Sequence, residues 1–134
     1  MGKEKTRLLT GFHHIAIIAS DYARSRAFYH NILQLPIISE CWRAERKSWK
    51  LNLALPDGGQ IELFSFPSSP PRLTQPEACG LRHVAFTVTH LEAMYTKLTM
   101  HGISTEPIRY DELTEKPFFF AYDPDHLPLE FYEA

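Results

Sequence analysis

Residues 80–88, GLRHVAFTV, restate residues 11–19, GFHHIAIIA. Gly11-x-x-His14-Ile-Ala-Ile aligns with Gly80-x-x-His83-Val-Ala-Phe. Further on, Ile61-Glu62-Leu63-Phe64 aligns with Leu129-Glu130-Phe131-Tyr132. His14 stands 48 residues before Glu62, and His83 stands 47 before Glu130. Two unrelated segments would not set His in one apolar run and Glu in another at nearly one spacing. The pattern therefore reads as one module written twice.

Each copy has the same order of elements. Residues 9–19 are rich in isoleucine and bounded by turn formers, which predicts a strand. Ser20-Asp21 offers a helix N-cap. Phe28, Ile32 and Leu35 recur at the spacing of one helix face, and Pro36 ends that helix. Extended stretches follow at 37–42, 48–55 and 60–66, the last two separated by the turn Pro56-Asp57-Gly58-Gly59. Residues 67–79 carry four prolines and no apolar period, so they read as a linker. The second copy gives a strand over 80–88 and a helix on Leu91, Met94, Tyr95 and Leu98, with Gly102 at its C-terminal cap. Strands then follow near 103–109, 116–122 and 127–133. The fold class is α+β: two tandem βαβββ modules, about 9–66 and 80–133, within one domain spanning 1–134.

The bulk numbers narrow the possible functions. A chain of 134 residues is one domain's worth, and 44% hydrophobic with 22% charged residues is ordinary globular composition. A net charge of −2 supplies no basic field for nucleic acid or an anionic membrane. The longest apolar runs are far too short to span a bilayer. Two leucines after a basic N-terminus do not make a signal peptide. Met1-Gly2 with Thr6 matches a myristoylation pattern, but such a match is common and the segment reads as a charged, frayed end. Two cysteines, Cys41 and Cys79, do not form a disulfide framework, and reduced thiols fit a cytoplasmic protein.

The repeat also selects the chemistry. Each half offers one imidazole and one carboxylate within apolar strands, where an unpaired charge is costly. Successive strand side chains face opposite ways, so His13 and His14 are not expected to share a site, and the alignment selects His14. His13, His30, His90, His101 and His126 have no histidine partner in the repeat. Two glutamates converging at equivalent positions repel each other unless a cation lies between them. The set His14, Glu62, His83 and Glu130 is a mixed N/O donor set. It suits one divalent ion of the zinc, nickel, cobalt, manganese or iron(II) type better than calcium.

These motifs carry a resemblance. HHIAIIASDYARSRAFYHNILQL, GGQIELF, GLRHVAFTV and AYDPDHLPLEF together resemble the vicinal oxygen chelate superfamily over about residues 10–133. That superfamily includes glyoxalase I, fosfomycin- and bleomycin-resistance proteins, epimerases and extradiol dioxygenases. RxSWKLNLAL, ELFSFP, PEACGLRHVAF and LPLE resemble its small bacterial glyoxalase I-like (YaeR-type) members in particular. The resemblance implies a glyoxalase-like fold, a curved mixed sheet around a metal, with ligands at His14, Glu62, His83 and Glu130. Four ligands with Glu at position 62 side with glyoxalase I, since epimerases carry Gln there and dioxygenases use only one carboxylate. The implied activity is that of a metal-dependent lyase similar to lactoylglutathione lyase, a C–S lyase acting through a metal-held enediolate. Zinc or nickel is the first expectation. Glu62 and Glu130 are the candidate catalytic bases, and near-symmetry leaves both open. An epimerase or other isomerase, a dioxygenase, and a small-molecule-binding protein without chemistry are the alternatives.

There are departures. Bacterial glyoxalase I grips glutathione with an Arg four residues after the first ligand and an Asn four after the first Glu. Ile18 and Phe66 stand there instead, which argues for a thiol other than glutathione. His126 replaces Gly in the DPDG-like turn and is tolerable there if the turn needs positive φ. The pocket candidates are Phe64, Phe66, Trp42, Trp49 and Phe118–Phe120, with Arg43, Arg46, Arg109 and Lys116 as cations for an anionic substrate; Arg82 is a weaker candidate, because strand alternation points it away from His83. Each module curls only half-way round a metal, so the site needs two facing modules. The expected assembly is a homodimer, with His14 and Glu62 from one chain and His83 and Glu130 from the other.

Overall fold

The computed structural model describes residues 6–134. The Met1-Gly2 pattern therefore falls outside the described residues.

The first module begins with β1 (His14–Ala19) and a short helix α1 (Tyr22–Arg26). Asp21 caps that helix by accepting from the Arg24 N–H at 3.2 Å. The chain does not continue as a regular α-helix. It widens into a π-helical stretch, Ala27–Ile32, in which the Leu33 N–H reaches the Phe28 carbonyl at 2.9 Å. The adjacent Phe28 and Tyr29 of this stretch both enter the core, at 2% and 0% exposure. Strands β2 (Ile37–Arg43), β3 (Ser48–Ala54) and β4 (Gln60–Ser65) complete the module.

Residues 67–79 contain no helix or strand. The second module then repeats the order with β5 (Val84–Val88), helix α2 (Leu91–Met100), β6 (Arg109–Tyr110), β7 (Pro117–Tyr122) and β8 (Pro128–Glu133). Gly102, at φ +71°, closes α2: its N–H bonds the Thr99 carbonyl, and the Ile103 N–H bonds that of Leu98, both at 3.0 Å. β6 is much shorter than the expected 103–109. Pro107 has no N–H to give the ladder, so pairing breaks there. On either side of it, Thr105 bridges Ala121 and Arg109 pairs with Phe118.

The strands form two four-stranded mixed sheets, ordered β1-β4-β3-β2 and β5-β8-β7-β6. β1 runs parallel to β4 and β5 parallel to β8, while the other neighbours are antiparallel. Alternation sends Leu51, Leu53, Ile61 and Leu63 of one sheet, and Phe119, Ala121, Leu129 and Phe131 of the other, into one continuous core. The helices pack on that side. The opposite face of each sheet is left to carry the polar residues of β1, β4, β5 and β8. The two-module α+β architecture matches the sequence expectation.

Candidate metal centre

Register fixes which side chains share the outer face. In the first sheet Ala16 pairs with Glu62 and Ile18 with Phe64, so His14, Ala16, Ile18, Glu62 and Phe64 are on one side. In the second, Ala85 pairs with Glu130, which puts Glu130 on the side that faces His83. His14 Nδ1 lies 3.4 Å from Glu62 Oε2, and His83 Nε2 lies 3.2 Å from Glu130 Oε1. Donors at 2.0–2.2 Å from one ion lie roughly 3.0–3.4 Å apart at bond angles of 90–109°. Each pair therefore already has the bite of a two-toothed chelate, and imidazole nitrogen with carboxylate oxygen suits a borderline divalent ion. His83 Nδ1 is buried and has no hydrogen-bond partner among the described residues.

The two pairs do not meet within one chain. Among the described residues, no three His, Cys, Asp or Glu side chains gather to hold a metal ion together. His83 and Glu130 line an open cavity of about 550 Å³ with Arg72, Arg109, Phe118 and Phe120, and neither His14 nor Glu62 reaches it.

The two pairs differ in their surroundings. Glu62 is 8% exposed. Asn52 Nδ2 lies 3.4 Å from its Oε2 and Lys50 Nζ lies 3.9 Å from its Oε1. Glu130 stands opposite Phe120, whose ring meets His83 edge-on at 5.1 Å. Lys50 and Asn52 escaped the sequence reading. The signal was present: they alternate with Leu51 and Leu53 on β3, so they had to share a face with Glu62 once β3 was set beside β4.

Several expected positions are corrected. The His13 ring lies against that of His14, with Nδ1 atoms 2.9 Å apart. Strand alternation does not separate them, because β1 starts at His14 and His13 precedes it. For the same reason Arg82, just before β5, lines the cavity of His83, although its guanidinium pairs with Glu77. Trp42 and Trp49 are not pocket residues. They sit on the helix side, where Trp49 stacks on Tyr22 at 5.2 Å and contacts Trp42 at 5.4 Å. Phe119 is core, while Phe118 and Phe120 line the cavity. Arg46, in the short 3₁₀ helix Ala44–Arg46, and Lys116, just before β7, are both exposed.

The DPDH turn (residues 123–126) ties the modules together. Asp123, 4% exposed, accepts from the Tyr29 hydroxyl at 2.7 Å and from the N–H groups of Asp125 and Leu127 at 2.8 and 2.9 Å. Burial pushes its carboxyl above the usual carboxylate range, although these bonds pull the other way. His126 sits at φ +64°, the left-handed conformation that a Gly would adopt.

Residues 11–131 match the Glyoxalase/Bleomycin resistance protein/Dioxygenase superfamily. The chain belongs to this superfamily. It is 56% identical to the uncharacterized protein YwkD of Bacillus subtilis (strain 168), over 94% of this chain and 98% of that one. It is 54% identical to the uncharacterized protein YaeR of Escherichia coli (strain K12), over 90% and 94%. The crystal structure of a glyoxalase family protein from Enterococcus faecalis superposes with a TM-score of 0.86 at 41% identity, covering 95% of this chain and all of that one. The fold is shared more distantly with the fosfomycin resistance protein FosX of Listeria monocytogenes. A FosX structure complexed with Mn(II) and sulfate ion gives a TM-score of 0.72 at 19% identity, covering 95% of this chain and 94% of that one. No helix among the described residues is long and apolar enough to cross a membrane.

Proposed function

We propose that this member of the superfamily is a metal-dependent glyoxalase I-like lyase or isomerase, with one divalent ion held by His14, Glu62, His83 and Glu130. The observation that carries the reading is the pair of equivalent His–Glu couples, at 3.4 and 3.2 Å, on matching faces of two sheets built alike. Two couples would give a divalent ion four donors and would leave further positions for a substrate's adjacent oxygens.

When bound, the ion supplies Lewis acidity that lowers the pKa of a C–H next to a carbonyl. A carboxylate oxygen of Glu62 or Glu130 would take the proton from one carbon and return it to its neighbour. Glu62 is enclosed and flanked by Lys50 and Asn52, whereas Glu130 has an aromatic neighbour in Phe120. Phe118 and Phe120 line the second half of the site and give it an apolar wall. The preferred substrate is an adduct of a 2-oxoaldehyde with a thiol other than glutathione, since Ile18 and Phe66 cannot hold a carboxylate or an ammonium. Zinc and nickel suit the donor set first.

The pairs do not converge in one chain, so the site is completed by a second copy. β1 and β5, at the heads of which the two histidines stand, are both outer strands of their sheets. Ile18 on β1 is 53% exposed. Exposed edges with apolar side chains are what a partner covers. The two modules act as one unit, the protein works as a homodimer with sites shared across the interface, and Cys41 and Cys79, free and exposed, suit a cytoplasmic setting.

Metal-reconstituted protein should be screened against hemithioacetals of glutathione and of small thiols, with solvent exchange of the substrate C–H read by NMR in D₂O. Turnover or exchange with a non-glutathione adduct is expected. The glutathione adduct should stay below about 10⁴ M⁻¹s⁻¹ in kcat/KM, the low end for ordinary enzymes. Exchange without lyase product points to an epimerase. Fully loaded protein that neither turns over nor exchanges any adduct contradicts the enzyme reading and leaves a binding protein.

A further inference from the structure

Two cations share one aromatic ring on the Glu62 face. The Arg43 guanidinium lies 5.0 Å from the centre of the Phe64 ring and Lys50 Nζ lies 5.9 Å from it. The two charges are therefore at most about 11 Å apart. Both are partly buried. Arg43 gives one hydrogen bond, from Nη2 to Ser48 Oγ at 2.9 Å, and its Nε is buried without a partner among the described residues. Among the described residues Lys50 has a single carboxylate in reach, Glu62 Oε1 at 3.9 Å. The other module differs: Arg109 lies over Phe118 and Phe120, but Glu106 sits 3.3 Å from its Nη2 and offsets its charge.

The charge balance follows, on the reading that Glu62 is a metal ligand. A divalent ion cancels Glu62 and Glu130. Lys50 then loses its counter-charge, and Arg43 has none. A half-enclosed face carrying two uncompensated cations around a ring is unfavourable until an anion joins it. A planar guanidinium fork and an ammonium are each groups that bind the oxygens of a carboxylate or phosphate.

We propose that Lys50 and Arg43, around Phe64, form an oxyanion-binding subsite beside the metal, so that the substrate carries a carboxylate, phosphate or phosphonate group. This subsite replaces the polar anchors missing at positions 18 and 66. It gives the enzyme a small anionic substrate in place of the glutathione adduct.

Calorimetric titration tests it, with propionate as the carboxylate probe, methylphosphonate as the phosphorus probe and propionamide as the uncharged control. Metal content is measured separately on every sample. One of the two anions should bind wild-type protein in a salt-sensitive manner, and propionamide should not. Lys50→Met and Arg43→Gln should each weaken that binding roughly ten-fold or more without loss of metal, Lys50→Arg should largely keep it, and Arg24→Gln, at an exposed position on α1, should leave it unchanged. Anion affinity equal in wild type, Lys50→Met and Arg43→Gln places the anion on the metal alone and overturns the subsite. No binding of either anion also overturns it. If wild-type protein holds no metal, the metal reading falls by itself. Titration of the metal-free protein then decides the subsite on the same variants.

Discussion

Asp123 is the buried carboxyl that the mechanism does not use. It satisfies two backbone N–H groups and the Tyr29 hydroxyl, so Asp123→Ala should cost about 2–4 kcal/mol in chemical denaturation. Its folded pKa lies above its ordinary value of 3.8 because it is buried. The protonated form is thus favoured by folding. Relative to Asp123→Asn, wild-type stability should be greatest below pH 3.8 and should fall as pH rises through the raised value, a sign that pH-dependent melts of the two proteins can check. His126, at φ +64°, makes the opposite case. His126→Gly should be neutral or stabilising by up to about 1 kcal/mol, since relief of the left-handed backbone offsets the added freedom of the unfolded chain. The DPDG-like pattern makes that position legible from the sequence, because Gly is the residue that a left-handed turn selects. His13 is less legible. Alternation predicts separation from His14, but alternation holds only inside a strand, and the strand begins one residue later.

The elements are legible where period and capping agree. β1, β4, β5 and β8 show as short apolar runs bounded by turn formers, and α2 runs from its apolar i, i+3, i+4, i+7 face to the Gly102 cap. Gly102→Ala tests that cap. A methyl there meets no atom within 4 Å, so the cost is conformational alone, about 1–2 kcal/mol, with metal content untouched. A loss well beyond that range would mean the glycine does more than end the helix. Two elements are illegible for physical reasons. The π-helical stretch Ala27–Ile32 rests on the i to i+5 bond from the Leu33 N–H to the Phe28 carbonyl, and an apolar period cannot distinguish that widening from an α-turn. β6 is short because one proline interrupts a ladder whose neighbours on both sides still pair. The strand faces explain the pocket: Phe118 and Phe120 face the cavity and Phe119 the core, whereas Trp42 and Trp49 require the β2–β3 register before they can be placed on the helix side.

At the level of assembly, the repeat makes the four candidate ligands legible, because it links His14 to His83 and Glu62 to Glu130 independently of any site. How the halves meet is not in the repeat, since a thirteen-residue linker reaches either way. Separate couples in one chain favour sites shared between two copies. Inactive His14→Ala and His83→Ala proteins, mixed and allowed to exchange subunits, should regain one intact site per mixed dimer and with it part of the metal binding. Recovery absent after demonstrated exchange, or a monomer in solution, would favour sites closed within one chain. The central claim is a single ion held by the repeated couples, and elemental analysis of purified protein tests it most directly. Wild-type protein should carry close to one divalent ion per chain, and His14→Ala, Glu62→Ala, His83→Ala and Glu130→Ala should each lose it while staying folded. Metal content unchanged by these substitutions would contradict it.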